Sequence, residues 1–214
     1  MASTAYDVQR EYMVTGAKLC GKYQIPQMPI CRLRSLPEDT VDFEGSLGKN
    51  LRGHNKLNVH FYIDDYKYEK VWNQPDKYID HLRCFNSVCA PDFSVSPKMP
   101  FPICLYNKYR NHAVAWYYYL RGVNIVPAVG IYGSEFFDWC FDGYPKDSIV
   151  SVCSNGRLRN KESRAEFIEG FKVMCDRINP SRVLFIGIVP DEMDFDVPVT
   201  FFETRTQKLN KGLI

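Results

Sequence analysis

From about residue 58 onward, short apolar runs alternate with amphipathic stretches, and the period of each assigns it to a strand or a helix. Val59-His-Phe-Tyr-Ile63 is β-branched and aromatic and reads as a strand ending in Asp64-Asp65. A helical stretch follows near Lys77 to Cys84, then a second apolar run, Ser87 to Ala90, ending at Pro91-Asp92-Phe93-Ser94. Asn107 to Leu120 predicts a helix closed by Gly122. Val123 to Val126 starts a strand that runs through Pro127 to Ile131, and Ser134 to Cys140 forms a short helix capped by its serine. Asp142-Gly143-Tyr-Pro145 turns the chain, and Ser148 to Cys153 is a strand followed by Ser154-Asn155-Gly156. Phe167, Phe171, Met174, Cys175 and Ile178 lay one apolar stripe along a helix from Asn160 to Ile178, stopped by Asn179-Pro180. Arg182 to Val189 is almost continuously apolar, as a strand buried on both faces would be. Val197 to Phe202 gives a last strand before a polar, basic tail.

Strands separated by helices predict an α/β fold: a mainly parallel sheet of five to six strands with flanking helices. Six units are few for a closed eight-stranded barrel, so the sheet is expected to be open or an incomplete, barrel-like one. The beginning of the chain reads differently. Pro26, Pro29 and Pro37, with Gly45, Gly48 and Gly53, interrupt it, and only a short helix near Tyr6 to Tyr12 suggests itself. Residues 1–56 are therefore expected to be an irregular N-terminal arm packed on an α/β domain of residues 57–214.

Composition narrows the function classes. With 27 basic and 25 acidic residues the net charge is +2, too even to announce a nucleic-acid binder without a local basic patch. The eight cysteines contain no Cys-x-x-Cys pair, and several sit in apolar runs where a free thiol acts as a small hydrophobe. No signal-peptide pattern opens the chain and no apolar run is long enough to span a bilayer. The expectation is a cytoplasmic protein with no membrane partner and no disulfide framework. Cys84, Cys89 and Cys104, with His81 or His112, lack the paired spacing of zinc sites, so no metal ligand set is assigned.

Ligands in parallel α/β folds gather beyond the carboxyl ends of the strands. The polar groups that trail the predicted strands are Asp64 and Asp65, then Asp92 and Ser94, then Ser154, Asn155 and Gly156, then Asp191 and Glu192. Brought to one rim, the carboxylates could bind a divalent metal or divide acid and base roles, with Asp64 and Asp92 as the catalytic candidates. The same residues could equally cap helices and close turns. Ser154, Asn155 and Gly156, followed by Arg157 and Arg159 ahead of a helix, form a candidate anion site, although the phosphate-loop glycine spacing and lysine are missing. Asn107, Arg110 and Asn111 open an aromatic helix and are candidate ligand contacts; His112 reads as structural.

Several strings recur as a set: Asp64-Asp65-Tyr66, Trp72-Asn73-Gln-Pro75, Pro91-Asp92-Phe93-Ser94, Asn107-Lys-Tyr109-Arg110-Asn111, Ile125-Val126-Pro127 and Cys140-Phe141-Asp142-Gly143-Tyr-Pro145. In order and wording, over roughly Asn58 to Phe202, they resemble a family of phage and mobile-element proteins, domain of unknown function 4417. The resemblance implies a phage, prophage or plasmid setting inside a bacterial cell and carries no catalytic assignment. Two functions remain open. One is an accessory protein that binds or acts on a phosphate-bearing ligand, a nucleotide or nucleic acid, at the strand-end rim. The other is a non-enzymatic interaction module, such as an inhibitor of a host defence protein, built on aromatic surfaces and the arm. A purely structural role ranks behind both. Whether the protein is an enzyme, and its oligomeric state, stay open.

Overall fold

The structure, a computed structural model, describes residues 9–48 and 52–212. The first elements are a 3-10 turn, Glu11–Val14, and an antiparallel pair, β1 (Leu19–Cys20) and β2 (Ile25–Pro26). Of the helix expected at Tyr6 to Tyr12, residues 6–8 lie outside the described residues, and the remainder enters that 3-10 turn. The chain continues through β3 (Asp39–Asp42), α1 (Phe43–Ser46), β4 (Leu57–His60), α2 (Asp65–Asn73), α3 (Ile79–Leu82), β5 (Ser87–Cys89) and α4 (Phe101–Leu120). It closes with β6 (Ile125–Val126), β7 (Ile149–Cys153), α5 (Lys161–Ile178), β8 (Arg182–Ile186), β9 (Val199–Phe202) and α6 (Arg205–Asn210).

All strands from β3 onward are parallel, in ladders β3-β4-β5-β6 and β7-β8-β9. A parallel bridge between Ala128 and Ser151 joins the two. Ser151 N–H donates to the Pro127 carbonyl and Val129 N–H to the Ser151 carbonyl, both at 2.8 Å. Spatial order therefore follows chain order from β3 to β9. This is an α/β fold of a four-stranded and a three-stranded parallel sheet, and no closed barrel forms because β3 and β9 do not pair. It departs from a single sheet of five to six strands partly because β3 lies in the segment expected to be irregular. Its Asp-Thr-Val-Asp sequence has a single apolar residue and hides between Pro37 and Gly45.

Burial explains which elements were legible. Phe167, Phe171, Met174 and Ile178 of the α5 stripe are buried as expected, with Cys175 half-buried at its edge, and Phe167 and Phe171 set their rings against Phe185 of β8. An Asn160–Ser163 capping box starts the helix and left-handed Asn179 ends it. Helix α4 begins six residues earlier than the aromatic pattern indicates, because Pro102 sits in the first turn, where its missing N–H costs nothing. It is enclosed on most sides. The N-terminal segment covers it, with Trp116 donating to the Thr15 carbonyl at 3.0 Å and His112 Nδ1 2.7 Å from the Pro26 carbonyl oxygen. Helix α2, unforeseen, buries only Tyr68, Val71 and Trp72 among charged residues, too narrow a stripe to register as a period.

The open side of the sheet is spanned by α6. Lys208 Nζ, almost fully buried, donates to Asp39 Oδ1 at 2.5 Å and to the Thr40 carbonyl at 2.9 Å. The residues after β9 thus reach the first strand of the series, and Arg205 lies 3.8 Å from Asp42. Lys208→Ala should cost about 1–2 kcal/mol, a charge-assisted hydrogen bond discounted because Asp39 is half-exposed. Urea unfolding measures the loss, and hydrogen exchange should quicken at residues 39–42 while the β7–β8 ladder keeps its protection. Uniform loss of protection would show that the seam is not a local fastening.

Candidate functional site

Because every strand of the series points the same way, the carboxyl ends share one side, and a cavity of about 620 Å3 opens there. That is the volume range of small-ligand pockets. Its wall takes Asp42 at the end of β3, His60 at the end of β4 with Phe61 to Asp64 after it, and Asp92 and Ser94 after β5. Val129 to Tyr132 follow from β6, Cys153, Asn155, Gly156, Arg157 and Arg159 from β7, and Thr204 to Thr206 from the turn into α6.

Asp92 faces the cavity with its carboxyl largely withdrawn from solvent. Burial pushes its pKa up to about 6; Arg157 and Lys108 pull it down and Asp65 raises it further. None of the described residues donates a hydrogen bond to it in the way Asp42 and Asp65 are served. A carboxyl in this setting changes protonation near neutrality, the range useful to a general acid or base. His60 is also buried, and desolvation pushes it down to about 4, so it stays neutral. Its Nδ1 accepts from the Tyr62 N–H at 3.3 Å, and the two rings stack at 5.6 Å.

Charge is arranged unevenly around the mouth. Lys67 lies 3.3 Å from Glu44 and 3.6 Å from Asp64, and Arg205 faces Asp42, so cations near β3 and β4 are matched by carboxylates. On the β7 side, Arg157 and Arg159 form no ion pair among the described residues. Arg157 lies 5.6 Å from the centroid of the Tyr132 ring.

The structure brings some predicted site residues together and gives others different work. Asp64, Asp92, Ser94, Asn155 and Gly156 line the cavity. Asn107, Arg110 and Asn111 do not; they brace the loop after β5 from α4. Asn107 donates to the Ser94 carbonyl at 2.6 Å, and Asn111 holds both Phe93 N–H and Phe93 carbonyl. Arg110 Nη1 donates to both carboxylate oxygens of Glu69, at 2.7 and 2.9 Å, its Nη2 donates to Asn107 Oδ1 at 2.7 Å, and the guanidinium lies 3.8 Å from the Phe93 ring centroid. Ser94 itself is tied to Asp65, donating from both N–H and Oγ at 3.0 Å. Ser154 is buried against Gly187, whose φ of 117° and absent side chain let it pack there: a Cβ would stand 2.5 Å from Ser154 Oγ.

Two expectations about this rim need correction. Asn155 and Gly156 are not backed by a free helix end, because α5 starts only at Lys161 and its first turn is closed by Asn160 accepting from Ser163 N–H at 2.8 Å. The cavity instead meets the turn Ser154 to Arg157 and its arginines. Asp191 and Glu192 are absent from the wall; Glu192 pairs with Arg164 at 3.4 Å on the outside. Among the described residues no three His, Cys, Asp or Glu side chains are gathered as metal ligands. His60, Tyr62, Tyr132 and Arg205 were not picked out beforehand. His60 and Tyr62 fall within a predicted strand and looked like core, and Arg205 sat in an unassigned tail. All described cysteines are free, and no helix of the described residues is long and apolar enough to cross a membrane.

A family model described as Domain of unknown function (DUF4417) matches residues 17–203. The chain is 31% identical to the Gene 1 protein of Mycobacterium phage L5 over 140 residues, 65% of this chain and 61% of the relative. It is 30% identical to the Gene 1 protein of Mycobacterium phage D29 over 157 residues, 71% of this chain and 58% of the relative. It thus spans about three-fifths of the length of these curated relatives. No solved structure matches.

Two variants separate bracing from cavity chemistry. Arg110→Ala should lower stability by about 1.5–3 kcal/mol in urea unfolding, the range for a hydrogen bond to a charged group; an unchanged midpoint would remove its bracing role. For Asp92 the sign is opposite at neutral pH. Its folded pKa near 6 exceeds the ordinary 3.8, so the folded form binds more protons than the unfolded chain between those values. The contribution is therefore greatest in acid and is lost as pH rises through 6. Asp92→Asn should gain about 1–3 kcal/mol at pH 8 and nothing at pH 4. His60, which acts with the reverse sign in the same window, cancels in the difference between wild type and variant. Equal stability of the two proteins at both pH values would show that Asp92 is not desolvated.

Proposed function

The chain belongs to that family, and on that premise we propose that its strand-end cavity binds a phosphate-bearing ligand, a nucleotide or nucleic-acid end, beside a proton-exchanging Asp92. The carrying observation is that Asp92 shares one cavity with Arg157 and Arg159, two cations that no carboxylate of the described chain pairs with. A guanidinium presents a planar fork suited to phosphate oxygens, and the exposed turn at Asn155 and Gly156 leaves room for the anion to approach. Near β3 and β4 the carboxylates of Asp42, Glu44 and Asp64 outnumber Lys67 and Arg205 by one charge, which favours an anion on the β7 side, beside Arg157 and Arg159.

Asp92 supplies the chemistry in this reading. With a pKa near 6 it is mostly ionised at pH 7 and still able to take a proton from a bound hydroxyl, amine or water. Asp64, exposed and close to Lys67, shapes the mouth electrostatically. In this reading the protein works in the cytoplasm of the bacterial host, in an accessory role for the phage or mobile element.

Titration calorimetry with nucleoside monophosphates and inorganic phosphate tests the proposal. Arg157→Gln should weaken binding about tenfold or more, the equivalent of one charge-assisted bond. Wild-type affinity should fall as salt rises. An Arg157→Gln, Arg159→Gln double variant that binds as tightly as wild type would overturn the assignment, as would a failure of every phosphate compound to bind.

A further inference from the structure

Outside the cavity, helix α5 sorts its outward charges by side. At 3.6 residues per turn, Lys161, Arg164 and Lys172 fall within about 80° of one another around the axis. Glu162, Glu166, Glu169 and Asp176 share a separate sector of about 80°. The buried stripe of Phe167, Phe171, Met174 and Ile178 leaves both sets on the outer surface.

The cationic side lines a groove of about 770 Å3 together with Leu158, Ala165 and Ile168. The charges around it are Arg159, Lys161, Arg164 and Lys172 against Glu169 and Glu192, a surplus of two cations. Glu192 is engaged by Arg164 at 3.4 Å. Arg159, Lys161 and Lys172 form no ion pair among the described residues. Arg159 lines this groove and the strand-end cavity alike. Its Nη2 lies 3.9 Å from where a Cβ on Gly156 would stand, so the guanidinium leans back over the turn that carries Asn155 and Arg157. The cations thus form a row that starts at the cavity with Arg157 and Arg159 and continues from Lys161 to Lys172, a helical stretch about 16 Å long.

A mononucleotide has its phosphate at one place, and the two arginines serve it. The row beyond them matches a ligand that repeats its charge. We propose that the site takes the phosphorylated end of a single nucleic-acid strand, the terminal phosphate against Arg157 and Arg159 and the chain leaving along the α5 groove past Lys161 and Lys172. This rests on the phosphate-ligand reading above and names the substrate class of the same site. A cavity of about 620 Å3 is of small-ligand size, which suits one unpaired nucleotide and not a duplex end. Leu158, Ala165 and Ile168 offer no ring for bases to stack on, so the groove holds the strand through its backbone charge and without regard to sequence.

The test is calorimetric titration of the whole chain with inorganic phosphate, thymidine monophosphate, and thymidine oligonucleotides of about two to eight residues, a single-strand site size, phosphorylated at the 5′ or the 3′ end. Affinity should climb with length and level off once the groove is filled. Lys161 and Lys172 are exposed, so the Lys161→Gln, Lys172→Gln double variant keeps the fold. It should weaken oligonucleotide binding about tenfold, roughly threefold for each exposed ion pair, and leave the monophosphate unaffected. Its log–log salt slope should be shallower by about 1.4, some 0.7 for each lost phosphate contact. An oligonucleotide that binds no more tightly than the monophosphate, or a double variant that binds it like wild type, would overturn the strand path and leave the phosphate reading standing. An unphosphorylated oligonucleotide or a hexaglutamate peptide matching the phosphorylated strand would overturn it too, and no binding of any compound, inorganic phosphate included, would end both readings. A preference between the 5′ and 3′ forms identifies which end enters, and either retains the assignment.

Discussion

Two backbone hydrogen bonds around Ser151 hold the molecule's halves in one register. Ser151 donates to Pro127 and accepts from Val129, and this exchange is the strand-to-strand link between the β3–β6 ladder and the β7–β9 ladder. Backbone groups in such a position must be paired, so the link also satisfies the interior edge of each ladder. Its functional effect is directional. With the two ladders parallel and in series, the loop after β7 lies on the same side as the loops after β4 and β5. Arg157 and Asp92 meet for that reason alone. The same residue's hydroxyl contacts Tyr62 at 2.9 Å, so the link is fixed from the cavity side as well.

The cavity is kept in shape by side chains that never enter it. The loop after β5 carries Asp92, and five separate bonds from Asp65, Asn107 and Asn111 pin its backbone and Ser94. Arg110 packs over Phe93 and is itself anchored by Glu69 and Asn107. Holding an acidic group in a desolvated place needs this kind of support, because relaxation toward water would restore an ordinary pKa. Polar residues on an otherwise enclosed helix are the cost of keeping that loop rigid.

Much of the fold was readable because its longer elements obey one period each. The α5 stripe, the apolar β8 run and the β7 strand stand where the pattern places them. What escaped were elements decided by tertiary contact: β3, mostly polar and recognisable only by pairing with β4, and α2, whose apolar face is three residues wide. At the site, trailing polar residues pointed to the correct side of the sheet, since that follows from strand polarity. Which of them face inward did not follow. Asn107 and Arg110 look like ligand contacts in one dimension, and only the position of the β5 loop shows them as braces. Tyr132 could not be singled out at all, because its place in the wall is set by residues distant in sequence.

The seam bridged by Lys208 has a bearing on how the chain is made. Strands β4 to β9 can each add to a neighbour already synthesised, so the sheet grows outward from the ribosome in one direction. The free edge of β3 is different, for its cover is encoded some 170 positions downstream, in the final helix. During translation that edge offers unpaired carbonyls to other chains until α6 has been made, the exposure that invites edge-to-edge aggregation. Polar Asp39, Thr40 and Asp42 on this short strand are a suitable defence, and the mostly polar sequence that disguised β3 is what guards it until α6 arrives.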